Sequence, residues 1–118
     1  MGVFTIRIEV GDPAGTRFET HDALVDTGST NTALPASVLR RLGVTPHKAA
    51  TFELADGRQV EMDIGRTCVR LNGDQELTQV AFAEEDTEPL LGAITLEEFG
   101  LGVDPIKKIL IPLRRMRK

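Results

Sequence analysis

The chain has 118 residues, a mass of 12.9 kDa and a formal net charge of −4, which fits one domain with a real core and is too short for two lobes that each bury their own. An apolar fraction of 41% beside 27% charged residues excludes wholesale disorder, and the negative balance argues against a protein that binds nucleic acid as a whole. Cys68 is the lone cysteine, with His21 and His47 the two histidines, so neither an intrachain disulfide nor the usual structural zinc set can assemble; no metal or cofactor is expected, and a reducing, cytoplasmic setting is.

In chain order, "MGVFTIRIEV" places Phe4, Ile6, Ile8 and Val10 on one face of a strand. It alternates where a signal sequence would run apolar, and no apolar stretch reaches bilayer length. "GDPAG" at 11–15 supplies a turn, and the returning strand, from about Arg17 to Val25, delivers Asp26 at its end. Beyond the Asp26 loop, Pro35 at a first helical position, an apolar stripe of Val38, Leu39 and Leu42, and Gly43 as a cap predict a helix over about 35–42.

"ATFELADGRQVEMDI" alternates again, and its apolar faces select the turn. A two-residue Asp56-Gly57 loop sets Phe52 opposite Glu61 and mixes faces. A three-residue Ala55-Asp56-Gly57 loop sets Phe52 opposite Val60 and Ala50 opposite Met62, so the longer loop is expected. The tip then carries Asp56, Gly57 and Arg58. A strand over about Arg66 to Leu71, a turn at "NGDQ" and a return marked by Val80 and Phe82 follow. Glu84, Glu85, Asp86 and Glu88 read as a solvated loop. In "EPLLGAITLEEFGLGVDP", Leu90 and Leu91 run into Gly92, and Thr95 with Glu98 suggests a capping box for a short helix. "KKILIPL" is a short strand with Pro112 suited to a sheet edge, and "LRRMRK" at 113–118 is a basic, solvated tail. Six or seven short strands with two small helices make one mainly β domain over 1–118. A loose internal echo relates "LVDTGSTNTALPASVLRRLGV" to "LLGAITLEEFGLGV".

"ALVDTGSTNTALP", residues 23–35, carries the chemistry. Asp-Thr-Gly alone is weak evidence, since it turns up by chance in about 2% of chains this long. Its context is stronger: an apolar Ala23-Leu24-Val25 before it, Ser29 after it, a Gly-tipped hairpin in mid-chain and Leu90-Leu91-Gly92 near the end.

With "ALVDTGST", "LADGRQV" and "LLG" in that order, nearly the whole chain resembles the retropepsin-like aspartic proteases, the retroviral-type single-domain family. The resemblance implies a closed acid-protease β-barrel with one or two short helices and a flap hairpin, acting as a homodimeric endopeptidase on peptide or protein substrates. It implies Asp26 as the catalytic carboxylate, with Thr27 and Gly28 building its loop. Ser29, Ala55, Asp56, Gly57, Arg58, Leu91 and Gly92 fall where the family binds substrate. It also implies Thr27 hydroxyls bracing two loops across a two-fold axis, and an intersubunit sheet from Val3–Ile8 and Lys108–Leu113. Two departures stand out: Ala93-Ile94 follows Gly92 where many cellular relatives have Met-Asp, and the hairpin tip has one glycine.

The chemistry explains why one aspartate is insufficient. Metal-free peptide hydrolysis by general acid and base needs one group to deprotonate water and another to protonate the scissile carbonyl oxygen. Two adjacent carboxylates sharing one proton do both, the pattern for which aspartic proteases are known. Asp26 is the only aspartate followed by Thr or Ser and then Gly; Asp86-Thr87 runs into Glu88. The second carboxylate must come from a second copy, on a two-fold axis. Ser29 beside the pair points to an acidic pH optimum.

Three other readings compete. The fold could serve only as a dimerisation or peptide-binding module, taking an extended peptide as an added strand. Asp26 could be a turn residue without chemistry. Arg114, Arg115, Arg117 and Lys118 could bind nucleic acid. Cys68 reads as a small buried apolar residue, and His21 as a strand-surface or satisfied core histidine.

Overall fold

A computed structural model describes residues 4–113. The basic residues 114–118 and Val3 lie outside the described residues. Within them the chain forms nine strands and two helices. The strands are β1 (Phe4–Gly11), β2 (Phe18–Val25), β3 (Thr32–Pro35), β4 (Lys48–Glu53), β5 (Gln59–Leu71), β6 (Asp74–Ala83), β7 (Leu90–Leu91), β8 (Leu101–Asp104) and β9 (Ile109–Pro112); the helices are α1 (Ala36–Arg41) and α2 (Ala93–Glu98).

Seven strands make one sheet in the order β1-β2-β7-β3-β6-β5-β4. β1 also pairs with β5 through Glu9↔Arg70 and Val10↔Val69, so the run from β1 to β5 joins end to end, with β4 hanging from β5. The mainly β, barrel-like architecture expected from the sequence is therefore present. Its interior takes Ile8, Val10, Val25, Leu34, Leu39, Val69, Val80 and Leu91, all almost wholly buried, with Phe4 and Ile6 packed against them. A separate two-stranded sheet pairs β8 with β9.

The β4–β5 register matches the expected one: Phe52 faces Val60, Ala50 faces Met62, and Leu54 and Arg58 close the three-residue loop through a 2.8 Å bond from the Leu54 N–H to the Arg58 carbonyl. Gly57 sits at φ +88°, a conformation most side chains resist. At the next hairpin Leu71 faces Asp74 across a two-residue Asn72-Gly73 turn.

Several expectations need correction. The strands read separately around 58–64 and 66–71 are one 13-residue strand, β5, which pairs with β4 through its first half and β6 through its second. Pro35 is not a first helical residue; it ends β3 in extended geometry (ψ 138°) and is the N-cap of α1. β3, β7 and β8 went unread because they are two to four residues long and are defined by their neighbours, not by internal alternation. Thr95 does not cap α2: the N-cap is Gly92, three residues earlier, without a side-chain cap. The acidic loop is not purely solvated either, since the Glu85 carboxylate accepts bonds from the Ser37 N–H (2.9 Å) and hydroxyl at the start of α1. The Ser37 hydroxyl and N–H hold the Glu85 carboxyl below its ordinary range.

The internal echo has a spatial counterpart. Leu24-Val25 and Leu90-Leu91 lie side by side in parallel, Leu24↔Leu90 and Val25↔Leu91.

Candidate active site

Asp26 follows the last residue of β2 and is held by main-chain bonds on both sides. Its N–H donates to the Leu91 carbonyl (3.1 Å), and its carbonyl accepts the Ser29 N–H (3.1 Å). The loop then folds around the side chain: Oδ1 accepts the Gly28 N–H at 2.9 Å and Oδ2 accepts the Ser29 hydroxyl at 3.2 Å. This is the turn chemistry in which an aspartate bonds its own backbone two residues on. A Cβ at Gly28 would lie 3.2 Å from Oδ1, tighter than most such contacts. Asp26 and Ser29 are half-buried, while Thr27 and Gly28 are exposed.

The loop rests on the start of α2. Ala93 and Ile94 donate their N–H groups to the Ser29 (2.8 Å) and Thr30 (3.0 Å) carbonyls, which satisfies helix-start donors without a capping side chain. Such proximity requires glycine at 92, because a Cβ there would stand 2.5 Å from the Asn31 carbonyl group. Beneath runs a chain of fully buried hydroxyls. The Gly92 N–H donates to Thr32 Oγ1 (3.0 Å), Thr32 and Thr95 share a 2.5 Å bond, and Thr95 and Thr78 share one of 2.9 Å. Sequence reasoning missed this trio, whose members lie 63 and 17 residues apart. Unusual threonine burial is invisible until the strands are registered.

Asp26, Gly28 and Ser29 open onto a groove of about 640 Å³. β3 and β6 show how it forms. Thr32, Leu34, Val80 and Phe82 turn inward and are buried, so the alternate residues Ala33, Ala81 and Ala83 face the groove with only methyl groups. Phe52, Leu54 and Met62 from the β4–β5 hairpin, with Leu90, add larger apolar surface. A smaller cavity of about 290 Å³ at Arg7, Glu9 and the β5–β6 turn shares no residue with it.

Of the residues expected around substrate, Asp26, Gly28, Ser29 and Ala55 line the groove. Thr27, Asp56, Gly57 and Arg58 do not, and neither do Leu91 and Gly92, which are buried beneath the Asp26 loop. Leu91 turns into the core because it follows Leu90 in an extended strand, and successive side chains take opposite faces. At the hairpin tip the Asp56 carboxylate accepts the Arg58 N–H and Nε, each at 3.0 Å. Those two bonds hold the Asp56 carboxyl below its ordinary range. Among the described residues no three His, Cys, Asp or Glu side chains are grouped to hold a metal ion. Cys68 is buried and His21 bonds Glu19 at 3.2 Å.

The family described as "gag-polyprotein putative aspartyl protease" matches residues 17–98, a span that holds the Asp26 loop, the hairpin and Gly92. The chain belongs to that family. Two solved structures have the same fold. EIAV protease complexed with the inhibitor HBY-793 superposes with a TM-score of 0.64 at 20% identity, over 82% of this chain and 88% of the viral one. The Simian Foamy Virus (mac) protease gives 0.57 at 19% identity, over 81% and 94%. At such identities the likeness is one of fold. No curated protein sequence matches the chain. Membership makes it a retropepsin-like aspartic protease by family, and no helix among the described residues is long and apolar enough to cross a membrane.

Proposed function

We propose that the chain is a single-domain aspartic endopeptidase whose active site forms when two copies bring their Asp26 side chains together on a two-fold axis. The observation that carries this is the seating of Asp26: both carboxylate oxygens are bonded by its own loop, and the residue lines a groove of about 640 Å³. One copy supplies one such carboxylate. The pair retains a single proton between like charges. The ionised member takes a proton from water as its oxygen attacks the scissile carbonyl, while the other gives its proton to the carbonyl oxygen. As the resulting diol collapses, one of its hydroxyl protons passes to the ionised carboxylate while the protonated carboxyl gives its proton to the leaving amine nitrogen, so the dyad again holds one proton.

In the assembled dimer, Thr27, exposed in one chain and without a side-chain hydrogen bond among the described residues, braces the facing loop. The β4–β5 hairpin closes over substrate as a flap. The β8–β9 sheet packs Leu101, Val103 and Leu110 against the core and leaves Ile109 exposed, with Leu113 just beyond it, and this outer face provides intersubunit contact. The lone buried Cys68 suits a reducing, cytoplasmic setting. Cleavage of a peptide library tests the proposal. Wild type should cut, and Asp26→Asn should abolish cutting while dimerisation persists. A wild-type dimer that binds peptides without cutting them would favour a peptide-binding module.

A further inference from the structure

Among the described residues, the charged ones lining the groove are Asp26, Glu53 and Glu84, with no Lys or Arg beside them. An apolar trough with an acidic rim distinguishes substrates by charge as well as by shape. Glu53 ends β4, is exposed, and makes no ion pair among the described residues. Glu84 opens the loop after β6, and Arg58 Nη2 at the hairpin tip lies 3.9 Å from its carboxylate, with the two side chains 57% and 55% exposed. The molecule thus already sets a guanidinium against Glu84. That guanidinium belongs to the hairpin proposed to close over substrate, and it is tied there to Asp56 at 3.0 Å.

We propose that Glu53 and Glu84 are specificity-determining residues of the groove: they select peptides that carry a lysine or arginine next to the segment bound over Ala33, Ala81 and Ala83, and they reject acidic ones. The inference rests on the proposed protease site. Arg58 meets Glu84 at 3.9 Å with both side chains more than half exposed, so a cation on the bound peptide competes with it for that carboxylate. A glutamate at the same peptide position meets Glu53, which has no ion pair among the described residues, and Glu84, whose exposed partner Arg58 offsets it only in part. Both glutamates are solvent-exposed, so the effect depends on ionic strength.

The test uses the full chain with Asp26→Asn, which binds without turnover, and labelled peptides identical except for Arg, Gln or Glu at one position, moved along the sequence in turn. The Arg peptide should bind about tenfold more tightly than the Glu peptide at low salt, and the ratio should shrink as salt rises. Glu53→Gln with Glu84→Gln should erase the ratio, whereas Arg58→Gln should strengthen binding of the Arg peptide by releasing Glu84. Equal binding of Arg and Glu peptides, or a ratio that survives the double substitution, overturns the proposal. Wild-type cleavage of the same peptides separates the two levels: cutting without charge preference overturns the selectivity alone, and neither binding nor cutting overturns the protease site with it.

Discussion

Asp26 was legible in the sequence because the groups that bond its carboxylate are local, two and three residues away. The support beneath it was not, because it is tertiary. Thr95 looks like a cap by local pattern, yet its hydroxyl is used between Thr32 and Thr78, on strands that sequence distance hides. Thr95→Val keeps the shape and removes the central hydroxyl, leaving buried oxygens on both sides short of a partner. It should cost about 1–3 kcal/mol in urea unfolding. Thr95→Ser should restore most of that, and a valine variant as stable as wild type would show the relay to be incidental.

Elements were legible in proportion to how far they define themselves. The β4–β5 hairpin carries its own alternation and its own turn glycine, so its register could be read from the chain. β7 is two residues long and exists because β2 and β3 flank it, and which face of β3 and β6 lines the groove follows only from their mutual register. Gly57 at φ +88° offers an element-level test. Gly57→Val should strain the tip by about 1–2 kcal/mol, lowering kcat/KM and lowering thermal stability by no more than that strain, because no group lies within 4 Å of the added Cβ. A second test concerns β9. Ile109 is 46% exposed, so Ile109→Lys should shift monomer stability by less than about 0.5 kcal/mol while raising the dimer dissociation constant at least about tenfold. Sedimentation velocity across a concentration series, with a urea melt, reads both.

At the scale of the whole molecule, activity at acidic pH, as Ser29 suggests, requires a fold that survives there. Glu19 sets part of how stability falls towards acid. The Arg41 guanidinium donates to it at 2.7 and 2.8 Å and, with His21, draws its carboxyl from an ordinary 4.5 down to about 2. Asp12, bonded by the Thr16 hydroxyl and the Arg17 N–H, is likewise drawn down to about 2. Because the folded-state value is the lower one, the stabilisation is complete above about 4.5 and is lost as pH falls through about 2. Glu19→Gln should therefore lose about 1 kcal/mol at neutral pH, after allowance for solvent screening, and show a shallower loss of stability on acidification than wild type. The central claim concerns symmetry, and one distance tests it most directly: that between the two Asp26 carboxylates in a crystal structure of the chain. The account predicts a two-fold dimer with the carboxyl oxygens at hydrogen-bonding separation, about 2.5–3.0 Å; a monomer, or a dimer that holds the two groups apart, would contradict it.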